Sequence, residues 1–154
     1  MITEDYVSYE TAKLLKEKGF REWCSHCYGV DVRYKGNPID EDEEFELKSE
    51  GKEDEIEYVD GGRLYNSMWD NSDESKIYAA PTLAIAIKWI REIHNIQIEI
   101  SVVGEENKEH EVIKWMYGWR IQNTTTITRH QTTFTSYQES CENAIKYCLQ
   151  NLIN

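Results

Sequence analysis

The chain has 154 residues, 40% hydrophobic and 30% charged, a normal globular balance for one domain large enough to bury a core without staples. Its formal charge of -12 is concentrated: residues 40–57 hold eleven acids and two lysines, a net of -9, which leaves -3 for the rest. An acidic chain repels phosphate backbones and no basic footprint offsets it, so the balance argues against nucleic-acid binding.

The first ten residues, MITEDYVSYE, have neither a basic start nor an apolar run and do not read as a signal peptide. The most apolar stretch, residues 78–90, is too short to span a bilayer and contains Lys88. A cytoplasmic location is expected, with the four cysteines as reduced thiols.

Ser8 is placed to cap a first helix reaching about residue 18, with Glu10 in its first turn and Gly19 as its stop. Tyr28, Val30, Val32 and Tyr34 alternate with polar residues and glycine, a strand with one buried face that ends at Gly36-Asn37-Pro38. The acidic segment follows as a solvated insert, with a short strand at Ile56 and Tyr58. Residues 63–77 show no apolar period and read as loop.

The strongest predicted helix is residues 82–95, TLAIAIKWIREIHN, with Pro81 at its start. Lys88, Arg91, Glu92 and Asn95 form one narrow polar stripe on an otherwise apolar cylinder, so this helix is expected to be covered on most sides and central to the fold. Ile96, Ile98, Ile100 and Val102 then alternate with Gln97, Glu99, Ser101 and Val103. After the polar loop GEENKEHE, Ile113, Trp115, Tyr117, Trp119 and Ile121 alternate with Lys114, Met116, Gly118 and Arg120. Two strands so close in sequence predict an antiparallel hairpin, since a parallel return needs about a dozen residues or more. The Thr-rich residues 124–135 have the β propensity for a third strand.

Ser136 to Glu139 reads as a capping box opening a last helix. Cys141, Ala144, Ile145, Cys148, Leu149 and Leu152 form its apolar face. The expected fold is a single α+β domain over residues 1–154: a small antiparallel sheet of three to five strands with about three helices on one face.

Residues 22–29, EWCSHCYG, pose the main chemical question. The run Trp23-Cys24-x-x-Cys27 looks like a thioredoxin-type redox site, but such a dithiol follows a buried strand and opens a helix. Here it follows a helix and precedes a strand. A zinc knuckle needs two further ligands; Cys141 and Cys148, seven apart on one helix, are poorly spaced to share an ion, and His26, His94, His110 and His130 show no ligand spacing. The favoured reading is packing, with one of Cys24 and Cys27 under the first helix and the other incidental.

The row Trp115, Tyr117, Trp119 is either a stacking platform for bases or sugars or, as the flanking Ile113 and Ile121 favour, core packed against the helix at 82–95. Lys88, Arg91 and Glu92 could dock a partner, though such a stripe is more often a solvated face. Pro38, Asp40, Glu46 and Lys48 match a nuclease pattern only as letters within an acidic run. No phosphate loop, HExxH, nucleophile elbow or dinucleotide fingerprint is present, and no cofactor is implied.

The pattern YxAPTLxxAxKWIRExHxIxI from Tyr78 to Ile98 resembles a family of small uncharacterised proteins associated with phage and mobile-element genes of gut anaerobes, as do the C-terminal SYQESCENAIKYCLQNLI and the start YVSYETAKLLKEKGF. The resemblance implies a shared small α+β domain and no activity. CSHC and the acidic insert stand outside the family pattern. The expected function is a non-enzymatic accessory or interaction domain that binds a protein partner. A metal or thiol-redox protein built on Cys24 and Cys27, and an acidic nucleic-acid mimic built on residues 40–57, are the alternatives.

Overall fold

The computed structural model describes residues 3–30, 56–58 and 76–154. The chain forms two compact units, one of Ser8–Pro81 and one of Met1–Val7 with Thr82–Asn154. Among the described residues, three helices and six strands, all paired antiparallel, make the α+β class that the pattern predicts. The strands fall into two three-stranded sheets, not one.

In the first unit, helix α1 (Tyr9–Glu17) starts where predicted, with the Ser8 hydroxyl accepting from the Thr11 amide. Gly19, at φ 85°, takes the left-handed turn that ends it, and the Phe20 amide returns to the Leu15 carbonyl. Strand β1 (His26–Val30) lies between β2 (Ile56–Tyr58) and β3 (Lys76–Ala79).

The predicted strand at 28–34 is thus confirmed through residue 30. Its continuation, the acidic segment up to residue 55 and residues 63–75 lie outside the described residues. The β3 strand corrects the loop reading at residues 76 and 77. Only four residues long, it gains its hydrogen bonds from β1, some fifty positions away, and leaves almost no local period.

Across this unit the Tyr9 ring meets Tyr28 and Tyr78 edge-on, at centroid distances of 5.6 and 5.5 Å. The Lys13 ammonium sits 5.0 Å from the Tyr9 ring, a cation–π contact. Ala12, Leu15, Phe20, Cys24, Cys27, Tyr28 and Ala79 are buried.

The second unit contains helix α2 (Leu83–His94), the meander β4 (Gln97–Glu106), β5 (Val112–Gln122) and β6 (Ile127–Phe134), and helix α3 (Tyr137–Asn151). Helix α2 is capped by the Thr82 hydroxyl and closed by Asn95 in the left-handed region at φ 53°. It is less covered than its sequence predicts. Leu83, Ala86, Trp89 and Ile90 are buried, but Ile85 and Ile93 face outward beside the polar stripe. One-sided packing against α3 and β4 explains this; a central helix would have hidden all six.

The Asn123 side chain organises the β5–β6 turn, accepting from the Thr125 and Thr126 amides at 2.9 and 2.7 Å. Helix α3 opens on Ser136, whose hydroxyl accepts from the Glu139 amide at 3.1 Å. The Glu139 carboxylate reaches back one residue further than a capping box requires, to the Thr135 amide and hydroxyl.

Candidate docking surface

Strand β5 is the middle of the second sheet, and helix α3 is its cover. The buried Ser140 hydroxyl donates to the Gly118 carbonyl at 2.9 Å, and Trp119 Nε1 donates to the Asn143 side-chain oxygen at 2.9 Å. The Trp119 ring also meets Tyr147 at 5.0 Å. Trp119 and Ile121 are therefore core, as the strand period predicts, but the covering helix is α3 and not the helix at 82–95.

The cover stops short. Tyr137, the first residue of α3, stands edge-on to Tyr117, with ring centroids 6.1 Å apart. Fifteen helical residues extend about 22 Å, whereas the eleven residues of β5 extend roughly 36 Å. Even fully aligned, α3 cannot reach the β4–β5 end of the sheet.

Trp115 and Ile113 lie beyond the start of α3, and the expectation that both pack inward is corrected: they are 53% and 62% exposed. Register places Val102 opposite Tyr117 and Gly104 opposite Trp115, so these residues share the uncovered face. Val102 and Val103 are each 53% exposed, on opposite faces of β4. Gly104 has a packing reason: a Cβ there would stand 2.9 Å from the Val112 methyls and 3.3 Å from the Trp115 ring. Val112 and Trp115 thus fold over the bare glycine backbone and form one apolar surface.

The adjoining tip is ordered and acidic. Asn107 Oδ1 accepts from the Glu109 and Glu111 amides at 2.9 and 3.0 Å, and the Asn107 side chain donates to Glu111 at 3.1 Å. His110 takes the left-handed position, φ 63°, and its ring meets Glu106 at 3.3 Å. Glu105, Glu106, Glu109 and Glu111 are all exposed around this loop, with Lys108 the one basic residue in residues 105–111.

Two adjacent apolar pairs, Val102-Val103 and Val112-Ile113, break the period of two on either side of the acidic loop. Those doublets were the signal for this surface. Val102-Val103 puts one apolar residue on each face of β4, and the register shift at Glu105/Glu106 brings Val112 onto the Trp115 side.

Among the described residues the remaining candidates do not assemble into a site. Lys88, Arg91 and Glu92 lie on the exposed side of α2, with Arg91 Nη2 3.6 Å from Glu92 Oε1. Cys24 and Cys27 are both buried, at 4% exposure, so neither is incidental to packing. Burial, with the neighbouring Cys27 and Glu22 adding, pushes the Cys24 thiol up to about 12. Burial likewise raises Cys148 to about 12 and Cys141 to about 11. These thiols are held protonated, the opposite of what a nucleophilic dithiol needs. Among the described residues no three His, Cys, Asp or Glu side chains gather as a metal site. Pro38, Asp40, Glu46 and Lys48 lie outside the described residues. No helix among the described residues is long and apolar enough to cross a membrane.

No protein-family model matches the chain, and no curated protein and no solved structure matches it.

Proposed function

We propose that the chain is a cytoplasmic, non-enzymatic interaction domain that docks a protein partner on the uncovered end of its second sheet. The observation that carries this reading is the exposed apolar surface of Val102, Val112, Ile113 and Trp115 beside an ordered tip. Burying such a surface releases water at about 25 cal/mol per Å², and an exposed Trp at its centre is a typical anchor for a partner. Preorganisation of the loop by Asn107 lowers the ordering cost of binding. The accessory role in a phage or mobile element rests on the sequence resemblance alone.

The test is co-purification from the native cells with the wild-type chain and with a Val102→Ser Trp115→Ser variant. A partner held at fixed stoichiometry by the wild type and lost by a still-folded variant is the expected result. A partner set unchanged by the two substitutions would count against this surface.

A further inference from the structure

The geometry points to docking by strand addition: the outer edge of β4 takes an extended partner segment with an apolar centre and basic flanks. This rests on the docking surface just proposed and specifies its partner. Sheet order puts β4 at an edge, paired only with β5; among the described residues no strand occupies its other side. Ten residues of edge strand present a row of backbone donors and acceptors that natural sheets cover, shorten or charge. Here the edge is long, and only its ends are charged.

Val102 and Val103 stand half-exposed at the middle of that edge, one on each face. A segment added there meets an apolar neighbour on both faces at its centre. Towards its ends it meets Glu99 on one side and Glu105 and Glu106 on the other, all exposed. Glu99 also touches Arg120 at 3.3 Å but keeps 67% of its side chain exposed, and Glu105 stands opposite Lys114. Glu99 is thus braced from the β5 side, and both acids stay exposed.

The same charges argue against a second copy of the chain. Antiparallel pairing of two β4 strands centred on Val102 sets Glu99 of each copy opposite Glu105 of the other, and like charges directly opposite are destabilising. With lysine or arginine in those places the pairs become favourable. An anionic lipid surface is disfavoured by the acidic tip on the same grounds.

The test uses the full chain and a synthetic peptide the length of β4, with β-branched residues at its centre and lysines at both ends. Two companions accompany it: a lysine-to-glutamate version, and a version N-methylated along one edge so that it cannot donate to a sheet. The expected result is saturable binding by the lysine peptide, about tenfold weaker for the glutamate version, since each cross-strand charge pair contributes about 0.2–1 kcal/mol. N-methylation should abolish binding, and β4 amides should gain protection from hydrogen exchange.

Binding that survives N-methylation but is lost in Trp115→Ser would overturn strand addition while leaving the docking surface intact. Equal binding of the lysine and glutamate peptides would overturn the charge assignment. No binding by any of the three, or a concentration-dependent dimer dissolved by Val102→Lys, would overturn the inference, the latter in favour of a second copy.

Discussion

Trp115 and Trp119 lie four residues apart on the same face of β5, yet one is half exposed and the other is core. A fully buried Trp covers about 150–250 Å², worth roughly 4–6 kcal/mol at ~25 cal/mol per Å², an upper bound because the unfolded chain is itself partly compact. Trp119, at 3% exposure, realises nearly all of this and also donates to Asn143. Trp119→Ala should therefore cost about 3–5 kcal/mol, the usual range for emptying a core aromatic site. Trp115 keeps about half its surface in water, with its ring edge beside Gly104. Trp115→Ala should cost about 1–2 kcal/mol. Urea unfolding followed by far-ultraviolet circular dichroism measures both, with the slope compared to confirm the same unfolding event. Equal losses at the two positions would mean that Trp115 is packed, and the docking surface would go with it.

Other outcomes follow from the same geometry. Ser140→Ala removes the donor to the Gly118 carbonyl in a dry setting and should destabilise by about 1–2 kcal/mol, less what alanine returns in helix propensity; a neutral result would show that water reaches Gly118. The four free cysteines are all buried, and burial raises Cys24, Cys141 and Cys148, so a disulfide reagent at pH 8 should label the four far more slowly in the native protein than in urea, and rapid labelling of Cys24 would contradict the packing reading. His94 has a buried Nε2 without a hydrogen-bond partner among the described residues, beside the Trp89 ring, and burial lowers its pKa. Below the unfolded value of 6.5 the unfolded chain takes up the proton first, so this contribution to stability should fall as pH drops through that value and be absent in His94→Gln.

Much of the second unit was legible because its signals are local. Ser136 with Glu139, Thr82 after Pro81, and the alternation on either side of residues 104–111 each fix an element from neighbours in sequence. Helix α1 and its stop at Gly19 were legible for the same reason. The division into two sheets was not, because β1 chooses β3 as a partner across some fifty positions and β3 has only four residues to advertise it. The docking surface was hidden in a different way. Period alone assigns Ile113, Trp115 and Tyr117 to the inner face with Trp119; which of them is dry depends on where α3 begins, at Tyr137 against Tyr117. The burial of both Cys24 and Cys27 likewise needed the β1 pairing, which sets Cys27 between Glu57 and Ala79.

The central claim is that the uncovered end of the second sheet holds a protein partner, and the most direct measurement is site-specific photo-cross-linking in the native cells. A photoreactive phenylalanine replaces Trp115 in one strain and Gln138, an exposed α3 residue, in another. One discrete cross-linked product at position 115, absent at 138 and lost when Val102 is changed to Glu, is the expected result. No product at 115, or the same products at both positions, would contradict it.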